Sequence, residues 1–197
     1  GEGDENHGCS FGVDALLYSI SAPLPLPRTC HVITLDFAFD FISPYAWFGW
    51  STIHDLAARH DAIVRPVPVL FAAMLNHHGQ LGPAEVPAKR RHTFMDCQRT
   101  AKRLGIPFAP PPAHPFNPLL ALRVASLPEA TPALISALFH EVWGGGRGVT
   151  DPAVVAEVAR AHGIPDAIER AALPESKQRV HDATRTAIER GAFGVPT

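Results

Sequence analysis

One switch of hydrophobic period constrains this chain more than any other feature. Over residues 34–50, TLDFAFDFISPYAWFGW, Leu35, Phe37, Phe39 and Phe41 alternate with Asp36, Ala38, Asp40 and Ile42. Period 2 carried by aromatic side chains specifies a strand with one strongly apolar face. At Ser43-Pro44 the period changes. Trp47, Trp50, Ile53, Leu56 and Ala57 then recur at three- and four-residue spacing, which is the apolar stripe of a helix. Ser is a good N-cap, and Pro loses nothing at the first helical position, where its missing N–H would have had no partner. The pattern therefore predicts a strand over 31–41 and a helix over 44–59, with Ser43 at the junction. Free N–H groups and the positive end of the helix dipole converge there, so the junction favours an anion. Two roles are open to Ser43: a helix cap, or a hydroxyl that donates to a bound anion.

The rest of the chain reads as one more strand and a series of helices. Residues 62–70, AIVRPVPVL, are apolar and β-branched, a second strand running parallel to the first through a right-handed crossover. Pro66 and Pro68 remove two ladder donors, which suits an edge. Residues 71–87 read as a short helical turn and a loop that brings Asn76, His77, His78 and Gln80 close together. Over 88–104, Phe94, Cys97, Ala101 and Leu104 share one helical face and basic residues occupy the others; Gly105 and Pro107 end the helix. Asp96 and Arg99 are spaced to pair across one turn. A proline-rich stiff connector over 109–118 leads to helices over 117–126, 131–143, 152–162, 165–173 and 174–190. Thr131-Pro132 and Asp151-Pro152 are cap-plus-proline starts. Gly144–Gly146 do not make a phosphate loop, since no Lys-Ser/Thr pair follows and no strand precedes.

Composition narrows the class. The 197 residues suit one domain. A net charge of −2 gives no basic surplus for nucleic acid or for a polybasic membrane contact. No apolar run of about 18 residues is present, so no membrane span is expected. The eleven histidines are scattered and form no ligand spacing, so no metal is expected. Three cysteines, Cys9, Cys30 and Cys97, lie far apart, which suggests a reducing compartment, the cytoplasm. Residues 1–30 show no sustained period, and their acidic start has the wrong sign for a secretory leader. They are expected to be a poorly ordered extension, with the domain over 31–197.

Four blocks together carry a family likeness: DFISPYAW, KRRHTFMDCQRTAKRLGIPF, VWGGGRGVTDP and AIERGAFGVPT. In this order they resemble the 2-hydroxychromene-2-carboxylate isomerases and the related kappa-class glutathione transferases. The likeness covers residues 32–197. It implies an α/β, thioredoxin-like fold of the DsbA type with an all-helical insertion at about 71–173. The family places a Ser where disulfide oxidoreductases carry the first Cys of C-x-x-C. Here the four residues are Ser43, Pro44, Tyr45 and Ala46, so dithiol exchange is excluded.

The resemblance further implies glutathione as cofactor, with Ser43 donating to its sulfur. Val195 and Pro196 would form a cis pair whose Val backbone meets the cysteinyl part of glutathione. Gln80 falls near a glutathione-binding Asn of kappa proteins, with Asn76 as the nearby substitute, and Lys89 is a candidate anion contact. Trp143 falls at the site end of the helical insertion, as core or as substrate contact. The expected activity is glutathione-dependent cis/trans isomerisation of the 2-hydroxychromene-2-carboxylate type, in bacterial aromatic degradation. The alternatives are a kappa-like transferase and a non-catalytic thioredoxin-like binding protein. The expected partners are a small aromatic substrate and, as in relatives, a second copy of the chain. The family pattern runs on past the position of Thr197 with two antiparallel strands and a helix, so the sequence reads as C-terminally truncated, with an exposed sheet edge and weaker cofactor binding.

Overall fold

The computed structural model describes residues 32–197; the expectations for 1–30 lie outside the described residues. Strand β1 (Ile33–Phe39), helix α1 (Pro44–Arg59) and strand β2 (Ala62–Pro68) form a βαβ unit. Helices α2 (Phe71–His77), α3 (Pro87–Leu104), α4 (Leu119–Ala125), α5 (Pro132–Trp143), α6 (Pro152–Ala161), α7 (Ala167–Ala172) and α8 (Pro174–Glu189) follow. A single 3-10 turn, Pro83–Glu85, precedes α3. None of the described helices is long and apolar enough to cross a membrane.

β1 and β2 pair in parallel, with Ile33 opposite Ala62 and Phe37 opposite Pro66. Among the described residues β2 pairs on one side only, so Pro66 is tolerated there. β1 stops two residues short of the predicted Phe41 for a local reason. The Asp40 carboxylate accepts the Ile42 N–H at 3.0 Å, and Ser43 N–H bonds the Asp40 carbonyl at 3.1 Å. An Asx turn thus replaces the ladder. On the other side of β1, Ala38 exchanges both backbone hydrogen bonds with Thr197, at 2.8 and 3.1 Å, the arrangement of an antiparallel pair.

The period-2 pattern of β1 sorts its side chains between two helical layers. Phe37, Phe39 and Phe41 face α1 and α5: Phe39 lies 5.8 Å from Trp50 and 5.4 Å from Phe139, and Phe41 lies 4.7 Å from Phe139. Ala38 faces the opposite way, into a smaller cluster with Val69, Met74 and Ala192, against which Val195 packs. Trp143 belongs to the core. It is fully buried, stacks on Phe108 at 5.8 Å and donates its indole N–H to the Phe41 carbonyl at 2.8 Å. The expected Asp96–Arg99 pair does not form; Asp96 instead accepts the Tyr45 hydroxyl at 2.9 Å, which ties α3 to α1.

Candidate functional site

The site begins at the head of α1. Ser43 is the N-cap, with φ −94° and ψ 117°. Its hydroxyl oxygen accepts the Ala46 N–H at 3.2 Å. The same hydroxyl donates to the Val195 carbonyl at 3.2 Å, across 152 residues of chain. Val195-Pro196 is a cis peptide. Ser43 is therefore a cap and a donor at once: capping uses its oxygen lone pair and leaves its proton to be given elsewhere. Pro196 sits against α1, close enough that a Cβ added at Gly49 would lie 3.4 Å from its ring.

Ser43 and Val195 open on a cavity of about 340 Å³, a size suited to a small molecule. Its walls are largely apolar, formed by Phe71 and Leu75 of α2, Phe94 of α3, and Phe116. Five ionisable groups join them: Asp40, Tyr45, Glu85, Arg90 and His114. A larger and shallower groove of about 530 Å³ lies between α2, α4 and α8, and Ser43 takes no part in it.

Asp40 is 1% exposed. Its two oxygens accept the N–H groups of Ile42 at 3.0 Å and Phe71 at 2.9 Å. Burial pushes its carboxyl up to about 7, against the pull of those two hydrogen bonds. The residue clamps the β1–α1 turn, where Ser43 sits, to the start of α2.

His114 holds the turn from the other side, its Nε2 lying 2.8 Å from the Ile42 carbonyl. A carbonyl only accepts, so Nε2 carries the proton and Nδ1 is left as a lone pair. That nitrogen is buried with no hydrogen-bond partner among the described residues. Burial lowers the pKa of His114 against the pull of its bond to Ile42, and the Arg90 charge adds to the lowering, which favours the neutral ring. Cys97 is buried near Tyr45, and burial pushes its thiol up to about 12. That value makes it an inert packing group rather than a nucleophile.

Of the residues singled out from sequence, the fold brings Ser43, Val195 and Pro196 together. Asn76, Gln80 and Lys89 are exposed and do not line the cavity. The reason is helical phase. On α2 the residues turned inward are Phe71, Ala72 and Leu75, so Asn76 points about 100° away. On α3 the residue that lines the cavity is Arg90, one position past Lys89, and its side chain is also exposed to solvent. Gln80 lies beyond the end of α2, its N–H bonded to the Leu75 carbonyl at 2.9 Å.

Asp40, Arg90 and His114 were the site residues missed in the sequence. Arg90 carried a usable signal, because it lies four, seven and eleven residues before Phe94, Cys97 and Ala101, on their stripe. Asp40 was visible only as one member of an alternation, and His114 only as part of a proline-rich connector.

Residues 34–197 match the DSBA-like thioredoxin domain. The chain is 28% identical over 168 residues to 2-hydroxychromene-2-carboxylate isomerase of Sphingobium xenophagum, covering 83% of this chain and 86% of that one. It is 29% identical over 183 residues to glutathione S-transferase kappa 2 of Caenorhabditis elegans, covering 82% and 78%. A solved structure of 2-hydroxychromene-2-carboxylate isomerase superposes with a TM-score of 0.75 at 26% identity, over 84% of each chain. With its βαβ unit, helical insertion and cis-proline segment beside the head of α1, the chain belongs to the DSBA-like thioredoxin domain family, and it carries the Ser43 hydroxyl at that helix head.

Proposed function

We propose that this protein is a glutathione-dependent isomerase acting on a small conjugated aromatic substrate of the 2-hydroxychromene-2-carboxylate type. The observation that carries the reading is the 3.2 Å contact between the Ser43 hydroxyl and the Val195 carbonyl, at a helix N-terminus in the wall of an apolar cavity. The similarity to the isomerases supports it. The donor set fits a thiolate: one mobile hydroxyl proton and the positive end of α1 lie where negative charge would sit.

Glutathione, when bound, would supply a thiolate that adds reversibly to a conjugated double bond and lets it rotate. The chain's own residues do the rest. Ser43, which now donates to the Val195 carbonyl, would donate its proton to the sulfur of bound glutathione, while its oxygen keeps the cap on Ala46. The α1 dipole lowers the thiol pKa further. The Val195 backbone would then be available to align the cofactor. Phe71, Leu75, Phe94 and Phe116 hold the aromatic body away from water, which strengthens each electrostatic contact at the reacting end. No redox step is involved, in keeping with a site that has no cysteine at residues 43–46.

The test is the ultraviolet difference spectrum of glutathione with the protein, followed as pH rises. Thiolate absorption is expected well below the free thiol value of about 8.5, lost in Ser43→Ala and kept in Ser43→Thr, which retains the hydroxyl. Absence of the early thiolate in the unaltered protein overturns the reading. The likeness to kappa transferases favours a second reading, in which the same thiolate is consumed in a stable adduct. Recovery of unaltered glutathione after many turnovers separates isomerase from transferase.

A further inference from the structure

The open side of the cavity carries a cation, the exposed Arg90, that neither the fold nor the thiolate chemistry uses. Arg90 stands one turn before Phe94 on the face of α3 that also carries Cys97 and Ala101, both buried. Its neighbours Lys89 and Arg91 lie off that stripe and away from the cavity lining. Among the described residues no carboxylate comes within ion-pair distance of Arg90. The two acids that share the cavity are already engaged. Glu85 accepts the Gly82 N–H at 2.8 Å, and Asp40 accepts the two backbone N–H groups already described. The Arg90 charge adds to the lowering of the His114 pKa, and among the described residues Arg90 is the one cation in the cavity lining. Thr93, three residues on and also in the lining, adds a hydroxyl on the same side.

We infer that Arg90, with Thr93, is the anchor for a carboxylate carried by a flat and otherwise apolar ligand, whose body lies along Phe71, Leu75, Phe94 and Phe116. A guanidinium presents two parallel N–H groups that match the two oxygens of a carboxylate. A single fork suits a singly charged planar group better than a phosphoryl group, which needs donors on more sides. Arg90 is exposed, so the apolar walls raise the worth of the pair only modestly above its value in water. The anchor also gives direction. A ligand held by its carboxylate at the α3 wall presents its other end to the head of α1, where Ser43 sits. Only the link from anchoring to turnover rests on the isomerase reading; the binding itself does not.

Calorimetric titration with 2-naphthoate and with its neutral isostere 2-naphthamide tests this directly. The unaltered protein is expected to prefer the carboxylate about tenfold, the size of a charge-assisted contact that stays partly open to water. Arg90→Met keeps the aliphatic stem and should abolish the preference. Lys89→Met should leave it intact. An equal affinity for both probes in the unaltered protein, a preference that survives Arg90→Met, or one that disappears in Lys89→Met overturns the inference.

The thiolate spectrum of glutathione, recorded on the same variants, keeps the two ideas apart. A lost carboxylate preference with the thiolate retained in Arg90→Met supports both. A lost preference in a protein that never forms the thiolate supports the anchor and overturns the isomerase reading. With 2-hydroxychromene-2-carboxylate as substrate, Arg90→Met should raise KM about tenfold and move kcat little, because an anchor remote from the bond being rotated contributes alike to ground and transition states.

Discussion

Asp40 is a buried carboxyl whose chemistry departs far from its ordinary range. It lies buried, its two partners are backbone N–H groups, and desolvation outweighs both, so its carboxyl titrates at about 7. The sign of its effect on stability follows. The unfolded chain releases this proton near 4, whereas the folded chain holds it until about 7. Between those values the folded state binds more protons, so the contribution of Asp40 to stability falls as pH rises and levels off above about 7. At full burial the span is bounded at about 4 kcal/mol. His114, with its lowered pKa, acts in the opposite sense, costing stability as pH falls below about 6.5. The comparison with Asp40→Asn isolates the carboxyl. That variant should lose about 1–2 kcal/mol at pH 5, since an amide offers one acceptor where two N–H groups need one each. The gap should narrow or reverse by about pH 8. Urea midpoints across that range check it; a gap that does not change with pH would place the carboxyl proton elsewhere.

At the scale of elements, α1 is held in place by close contacts on both sides. Gly49 shows this best. A Cβ there would meet the Phe37 ring at 3.0 Å and the Pro196 ring at 3.4 Å. Ala is worth about 1 kcal/mol more than Gly inside a helix, but overpacking a filled core costs about 1–3 kcal/mol. Phe37 is boxed in by Phe39 and Trp50, so it has little room to yield. Gly49→Ala is therefore expected to destabilise by about 1 kcal/mol on balance, and to weaken the glutathione thiolate signal by displacing Pro196 and with it Val195. A variant of unchanged or greater stability, read by urea denaturation, would mean that the Phe37 ring gives way. At the head of α5 the Thr131 hydroxyl accepts the Leu134 N–H at 3.2 Å. Thr131→Ala should cost about 1 kcal/mol without touching the thiolate, since this cap is not part of the cavity lining.

Across residues 32–197, one apolar cluster runs from Phe37 of β1 through Phe139 of α5 to Val180 of α8. The helical insertion and the strand that carries the site thus share a core. They are expected to unfold together, in one transition seen alike by tryptophan fluorescence, which reports Trp47, Trp50 and Trp143, and by far-ultraviolet circular dichroism. Two separated transitions would show that the insertion is an independent unit. Phe139→Ala removes the ring that touches Phe39, Phe41, Trp47 and Trp50. It should cost about 3–5 kcal/mol and lower the midpoint of both signals together.

Local chemistry was enough to place most of the elements and to single out Ser43 at the head of α1. The period change at Ser43-Pro44 set the β1–α1 junction, because backbone sterics and capping act within a few residues. Pro132 and Pro152 marked helix starts, and Gly105, in the left-handed region at φ 66°, marked the end of α3. The Val195-Pro196 pair was legible through its family likeness. What the one-dimensional pattern could not supply was which neighbour on a helix turns inward. Asn76 and Lys89 carried suitable chemistry and were one residue out of phase, while Leu75 and Arg90 took the cavity positions. That choice depends on the rotation of α2 and α3 against β1 and the connector, which distant side chains set by packing. The same holds for Asp40, whose two hydrogen bonds and burial appear only when the start of α2 closes over the end of β1. The sequence alone thus determined where the backbone turns and caps, since those are short-range effects. The tertiary structure decided which side chains share one cavity, since burial and long-range charge exist only after the elements have packed.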